Sequence, residues 1–441
     1  MSNFPFSGLN DPEFNLLFDF HNILRDNPQI DEEYEHNISN TLNINIEEVD
    51  HVFDTNEGIS FVQSLYYTQN QCIKYLNSTT NNDLSLFHLN IRSVNKNFEQ
   101  LSLLLDNVNI ESLVIGLTET WLTDTPHTMY HLPGHDLIFN NRVNRRGGGV
   151  ALYVPVRFNY TTDVNVMNQT METVFIEIAL HNKKNIIIGT IYRPPSADPN
   201  NFLHEMQQFL SNPLFQNKHC FLMGDFNIDL LKYTDDNLSH DFFDTLSSFS
   251  FLPLITRPTR LSQRSYTLID NIFSNVDLET KSGVVISDIS DHCPIFATVI
   301  SFFANQKLQP SFIMIRKITA EKIARLKNKL NTFTWAEVLT ENDVNRSYDK
   351  FAKILTTALN ECIPFQQSKP NNKQQIRKPW VSKLLLKSIK KKNNLYFKYR
   401  SSPTDNNRNK YVKYKNLLTS LLRAEERRNT SPHNSKQTKI T

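Results

Sequence analysis

Cysteine is scarce in this chain. Four residues in 441, Cys72, Cys220, Cys293 and Cys362, are scattered with no CxxC pair and no Cys/His cluster at zinc spacing. That scatter excludes a disulfide framework and a zinc finger, and it points to an intracellular compartment. No apolar run approaches the roughly 18 residues of a membrane span. The start, Met1-Ser2-Asn3-Phe4-Pro5, has no basic stretch followed by an apolar one, so neither a transmembrane helix nor a secretory leader is expected. The sequon Asn77-Ser78-Thr79 is then idle. Acidic side chains are nearly missing from the end of the chain: residues 369–441 hold 20 Lys+Arg against 3 Asp+Glu, a net of +17. Residues 1–80 are the reverse, with 13 acidic and 2 basic side chains, and the overall +2 hides this asymmetry. The acidic head also lacks a sustained hydrophobic period, which predicts weak structure there.

What is present centres on Cys220-Phe221-Leu222-Met223-Gly224-Asp225-Phe226-Asn227, an apolar run ending in a glycine, a carboxylate and an amide. It reads as a central strand whose C-terminal end opens into a polar site. In extended chain Asp225 and Asn227 share one face, with Phe226 turned to the core; the plainer reading is an Asx turn closing a strand. Similar strand ends recur at Leu84–Leu89, delivering Asn90-Ile91-Arg92-Ser93, and at Leu113–Leu117, delivering Thr118-Glu119-Thr120-Trp121. A helix is expected between them over about 97–106. Two hairpins follow, 137–139 with 149–154 and 174–178 with 186–192, the second stopped by Arg193-Pro194-Pro195. Asp198 and Pro199 start a helix running to about Leu210. A helix over 240–249, a strand over 268–273 and a strand over 295–300 complete a domain expected to span 84–300. Residues 302–368 read as a charged helical linker and 369–428 as a basic helical hairpin broken at Ser401-Ser402-Pro403; 429–441 read as a disordered tail.

Asn90, Glu119, Tyr192, Asp225, Asn227, Asp270, Asp291 and His292 all fall at or beside expected strand ends. Each alone has a structural explanation. Together, several carboxylates near one another repel unless a cation sits among them, and oxygen donors without thiolates point to Mg²⁺ or Mn²⁺.

At these positions the chain resembles the endonuclease/exonuclease/phosphatase superfamily, and within it the apurinic-type endonuclease of non-LTR, LINE-like retrotransposons. The stretches that carry the resemblance are LNIRS at 89–93, LTETWL at 117–122, NRRGGGVALYV at 144–154, IYRPP at 191–195, GDFN at 224–227, TLIDNIF at 267–273 and SDHCPI at 290–295. It implies a four-layer α/β sandwich, two packed mixed sheets flanked by helices, here with a C-terminal basic helical extension that ends before any reverse transcriptase. It also implies a Mg²⁺- or Mn²⁺-dependent endonuclease. Glu119, Asn90 and Asp291 would be the metal ligands, and Asp225 would orient or deprotonate the attacking water. Asn227 and Tyr192 would hold the phosphate, and His292, oriented by Asp270, would face its developing charge. Base-repair relatives carry an acidic ligand where this chain has Arg92, whereas the retrotransposon branch commonly has arginine.

DNA is the implied partner, gripped by Arg142, Arg145, Arg146, Arg193 and Arg264, with element RNA a second partner through the basic helices. No membrane is implied, and the oligomeric state is open. Lys390-Lys391-Lys392 reads as a nuclear import signal. Tyr233-Thr234-Asp235-Asp236 imitates a polymerase YxDD but lacks flanking apolar strands. Two other readings stand beside the nuclease: an inositol-phosphate or nucleotide phosphatase of the same fold, and a catalytically idle nucleic-acid-binding fragment.

Overall fold

The computed structural model describes residues 62–106, 108, 110–122, 130–142, 147–162, 170–180, 184–215, 217–262, 265–304, 313–368 and 382–430. Arg145, Arg146, Arg264, most of the acidic head and the tail beyond 430 lie outside them.

The chain enters as β1 (Leu65–Thr68), α1 (Gln69–Ser78), β2 (Leu84–Asn90), α2 (Val94–Leu105) and β3 (Leu113–Thr118). Two hairpins follow: β4 (His135–Asn140) with β5 (Val150–Pro155), and, after the short β6 (Tyr160–Thr161), β7 (Glu172–Ile178) with β8 (Ile186–Tyr192). Next come α3 (Pro199–Leu210), β9 (His219–Asp225) and α4 (Asn237–Ser248). The domain closes with β10 (Leu252–Pro253), β11 (Arg260–Leu261), β12 (Tyr266–Thr267), β13 (Asp270–Ser274), β14 (Thr280–Ile286) and β15 (Ile295–Val299).

These strands form two large mixed sheets. One is ordered β1-β14-β15-β2-β3-β5-β4, the other β10-β13-β9-β8-β7-β6. Period-2 alternation divides each strand between two buried faces. In β2 and β3, Phe87, Leu89, Ile115 and Leu117 pack outward against Cys72 and Leu76 of α1 and Phe98, Leu101 and Leu105 of α2. The opposite face meets the second sheet, closely at Gly116, where a Cβ would stand 2.5 Å from Thr190 Oγ1. On the far side, Phe202 of α3 and Phe242 of α4 cover the second sheet, and Phe242 touches Phe226 and Phe273. Helix, sheet, sheet and helix give the expected four-layer α/β sandwich.

Asp198 caps α3 by accepting from Asn201 N at 2.8 Å, with Pro199 in the first turn. Asp236, the last residue of the polymerase imitation, caps α4 instead by accepting from Ser239 N at 3.1 Å.

The boundary expected at Leu84 moves upstream. β1 lies parallel to β14, Ser64 Oγ meets Ser282 Oγ at 2.8 Å, and Leu76 of α1 is buried, so residues from 62 onward belong to the sandwich. The chain divides into two compact units, one made of residues 308–374 and the other of the residues up to 307 together with those from 375. The 308–374 unit pairs β16 (Ile313–Arg316) with β17 (Phe365–Ser368) and carries α5 (Ala320–Asn331), α6 (Ala336–Leu339) and α7 (Val344–Cys362). Arg316 stacks over Phe365 and donates to the Ile363 carbonyl.

The basic extension is the expected hairpin, α8 (Lys383–Ser401) and α9 (Asp405–Thr430), closed by Leu385, Tyr414, Leu418 and Leu421. It packs on the sandwich, and Lys392 is buried there with only 7% of its surface exposed. That burial counts against Lys390-Lys391-Lys392 as an import signal, because a carrier would have to read a lysine that is already engaged.

Candidate active site

β2, β3, β8 and β9 end at the same edge of the sandwich, and register brings their last residues together. Asn90 pairs with Thr118, directly before Glu119; Tyr192 lies beside Asp225 in the parallel β8–β9 pair; Asp270 faces Asp225 across the antiparallel β9–β13 pair. Gly224 permits this, since a Cβ there would lie 1.8 Å from the Ile191 carbonyl oxygen. Several non-glycine residues at this edge have left-handed backbone: Arg92 (φ 47°), Ser93 (φ 89°), Glu119 (φ 50°), Trp121 (φ 52°) and Asn227 (φ 50°). Such conformations cost of order 1–3 kcal/mol each and persist where the surroundings over-determine them. Here Ser93 N donates to Glu119 O at 2.8 Å, Val94 N to Thr120 O at 2.9 Å and Trp121 N to Gly148 O at 2.9 Å.

The polar side chains form one connected network. Asn90 Nδ2 donates to Glu119 Oε1 at 2.9 Å and to Asp225 Oδ2 at 2.7 Å. Trp121 Nε1 donates to Glu119 Oε2 at 3.3 Å. Asp270 Oδ2 accepts from Thr259 Oγ1 at 2.7 Å and lies 2.8 Å from His292 Nδ1. Ligand atoms of Asp225, Asp270 and His292 all lie within 4.8 Å of one another, and all three residues are buried. Asp270 Oδ1 is buried without a hydrogen-bond partner. An unpaired carboxylate oxygen beside a second carboxylate is a place for a cation or a donated proton.

Electrostatics sort the three groups. Burial, reinforced by Asp270, raises the Asp225 carboxyl to about 7. Burial works against charge on His292 as well, but Asp270 outweighs it and raises the imidazole to about 9. Asp270 itself stays below the ordinary carboxylate range despite its burial, because His292 and Thr259 favour its charged form. At neutral pH this is an imidazolium–carboxylate pair beside a carboxyl that exchanges its proton readily. Tyr192, 4% exposed, is raised by burial and then by Glu119 and Asp225, so it stays a neutral phenol.

Several expected placements change. Asn227 does not continue the strand: its N–H donates to Asp225 Oδ1 at 3.0 Å and its Nδ2 to the Arg193 carbonyl at 2.8 Å, so the Asx turn is the correct local geometry. Asp291, expected among the metal ligands, is instead held by Arg92 Nη1 at 2.7 Å and Arg260 Nη2 at 2.8 Å. Burial opposes its charge, and Arg92 outweighs burial and lowers its pKa. Arg142 is folded back in an ion pair with the fully buried Glu172, which also accepts from Gly149 N at 2.5 Å. Gly148, at φ 65°, is where a Cβ would strike Arg142 and Glu172, so this part of the glycine run serves internal packing. Arg193 is 4% exposed and donates to the Asn227 and Ala197 carbonyls while lying over Phe202. Both guanidinium groups are thus engaged inside the protein.

Three further contributors stand outside the expected site set. Thr259 shares Asp270 with His292. Arg260 pairs with Asp291. Ser290 Oγ donates to the Asn90 carbonyl at 2.7 Å and accepts from His292 N at 3.0 Å, fastening the His292 loop to the end of β2. Ser290 opens the SDHCPI stretch at 290–295, but that stretch does not tell which backbone groups its hydroxyl would tie together.

Residues 87–292 match the family model described as the Endonuclease/Exonuclease/phosphatase family. A comparison with curated proteins finds no match. Among solved structures, the endonuclease domain of TRAS1, a telomere-specific non-LTR retrotransposon, is 12% identical, with 49% of this chain and 98% of that one covered and a TM-score of 0.39. The Xenopus laevis APE2 catalytic domain is 18% identical, with 48% and 91% covered and a TM-score of 0.39. An AP endonuclease from Archaeoglobus fulgidus is 12% identical, with 48% and 98% covered and a TM-score of 0.36.

Proposed function

We propose that this protein, whose residues 87–292 match the model of the endonuclease/exonuclease/phosphatase family, is a Mg²⁺- or Mn²⁺-dependent DNA endonuclease, the nicking part of a retroelement. The observation that carries the reading is the buried Asp225–Asp270–His292 cluster joined through Asn90 to Glu119. In-line attack on a phosphodiester needs an activated water and stabilisation of the charge that develops on the phosphoryl oxygens. Asp225, with its raised pKa, accepts the proton of the attacking water. The His292 imidazolium, oriented by Asp270 at Nδ1, presents Nε2 to the developing oxyanion, and Tyr192 contributes a neutral O–H donor. Asn227 stands beside them at the rim.

The donor set fits a hard divalent ion: carboxylate and amide oxygens from Glu119 and Asn90, no thiolate, and the unpaired Asp270 Oδ1 deeper in the site. Asp291, held through Oδ2 by Arg92 and Arg260, would join that set through Oδ1. When bound, the ion supplies Lewis-acid stabilisation of phosphoryl charge and lowers the pKa of water. Arg92, in the position where base-repair relatives carry an acidic ligand, supports the retroelement branch over repair.

The test offers purified protein two substrates, supercoiled plasmid and an inositol polyphosphate, each with Mg²⁺. Conversion of plasmid to open circles without phosphate release is the expected result. Phosphate release with intact plasmid would replace the nuclease by a phosphatase.

A further inference from the structure

Where the basic hairpin packs on the sandwich, a carboxylate is deeply buried. Asp288, whose side chain is 3% exposed, accepts from Lys392 Nζ of α8 at 2.7 Å through Oδ1. Its Oδ2 accepts from Tyr411 Oη of α9 at 2.8 Å and lies 3.6 Å from Lys415 Nζ. Around it, Lys392 Nζ reaches Gln100 of α2 at 3.3 Å, and Asn393 reaches Gln69 of α1 at 2.5 Å. Gln69 in turn donates to Ser287 Oγ at 3.1 Å, and Arg400 Nη2 donates to the Ser262 carbonyl at 3.2 Å.

Asp288 stands two residues before Ser290 and four before His292. We infer that Asp288 is a positioning residue, through which the basic hairpin holds the 287–292 segment and so sets the placement of His292. This rests on the nuclease reading for its kinetic consequence, and it assigns the hairpin a role beyond attracting nucleic acid by charge.

The physical reason is the cost of a buried ion. A carboxylate in a protein interior is strongly destabilising without a cation beside it, and removing one partner of a buried pair leaves the other charge poorly compensated. With Lys392 gone, Asp288 keeps Tyr411 and the more distant Lys415 at 3.6 Å but loses its close ion-pair partner, and the segment that readjusts around it also carries Ser290. Ser290 bridges the Asn90 carbonyl and His292 N, so the movement is delivered to both sides of the site. A shift of about 1 Å in a reacting constellation costs on the order of 100-fold in rate. Nothing comparable follows from removing charge on the outer face of the hairpin, where Lys387, Lys398 and Lys413 are exposed.

The experiment compares the full-length protein with Lys392→Met, Lys392→Arg and the triple variant Lys387→Gln/Lys398→Gln/Lys413→Gln. Two readouts are taken: plasmid nicking resolved into kcat and KM, and hydrogen exchange across residues 286–293 and the two helices. Lys392→Met should lower kcat by about tenfold or more with KM nearly unchanged, and residues 286–293 should lose protection together with α8. Lys392→Arg should restore both. The triple variant should raise KM and leave kcat and the protection of 286–293 as they were. The inference is overturned if Lys392→Met changes KM alone, or if α8 loses protection while 286–293 keeps it. The exchange readout needs no activity, so a chain that nicks nothing would remove the nuclease reading and still decide whether Asp288 couples the two.

Discussion

At the scale of single residues, the environment raises the pKa of two ionisable groups of the site, Asp225 and His292. Asp225 must be ionised to accept a proton and His292 must be protonated to donate, so the nicking rate should be bell-shaped in pH, with limbs near about 7 and about 9. These limbs belong to the coupled cluster rather than to either residue alone. The Asp270 carboxylate raises both groups, so Asp270→Asn should shift both limbs to lower pH as well as reduce kcat. A profile measured on that variant with unmoved limbs would mean that Asp270 does not face them in solution. Stability follows the same signs. The folded-state pKa of His292 lies above its ordinary 6.5, so its contribution is complete below about 6.5 and lost as pH rises through about 9. Asp225 is likewise raised, so it also favours the folded state at lower pH. Thermal unfolding should therefore occur at lower temperature at about pH 9.5 than at about pH 6.5.

Arg142 makes a different kind of prediction. Its partner Glu172 is fully buried, so Arg142→Ala should destabilise the domain by about 3–5 kcal/mol. Chemical denaturation measures that directly; an unchanged midpoint with weakened DNA binding would return Arg142 to the duplex interface. The sequence could not distinguish these outcomes, because an arginine in a glycine-containing loop looks the same whether it grips a phosphate or an internal glutamate. The positions proposed for catalysis were legible for the opposite reason. Asn90, Glu119 and Asp225 each interrupt a strand that is otherwise apolar, and a polar group at such a break needs a purpose.

At the scale of elements, what could be read depended on length and polarity. β2, β3, β5, β8 and β9 are runs of six or seven buried residues, and their expected spans agree with the observed ones to within a residue or two. β1 and β14 were missed. β1 is four residues long with a mixed burial pattern, and β14 opens with Thr280-Lys281-Ser282-Gly283, which imitates a turn. Yet β1 covers the edge of β14, and an uncovered edge invites pairing with other chains. Deleting residues 62–81 should therefore lower the melting temperature and promote aggregation, checked by differential scanning fluorimetry and light scattering. Retention of wild-type melting behaviour would show that the sandwich is complete from Leu84.

At the scale of the whole molecule, charge is segregated rather than balanced. The +17 of residues 369–441 is carried partly by a hairpin docked against the sandwich, next to the segment that holds His292, so cations and chemistry share one body. Each phosphate neutralised releases counterions, so log K for duplex binding should fall linearly with log salt. The triple variant at Lys387, Lys398 and Lys413 should reduce that slope by up to about three, near one for each lost contact. A fluorescence-anisotropy titration across salt concentrations gives the slope; an unchanged value would mean that the outer face of the hairpin does not meet the duplex.

The central claim is that the edge lined by Asn90, Glu119, Asp225, Asp270 and His292 cuts phosphodiester bonds in DNA with the help of a divalent ion. The most direct measurement is gel-resolved nicking of supercoiled plasmid by the full-length protein with Mg²⁺ or with EDTA, beside Glu119→Ala, Asp225→Asn and His292→Ala variants whose circular dichroism matches that of the parent. Open circles with Mg²⁺, lost with EDTA and reduced at least about 100-fold in each folded variant, are the result expected. Nicking that survives EDTA, or that all three folded variants retain, would contradict it.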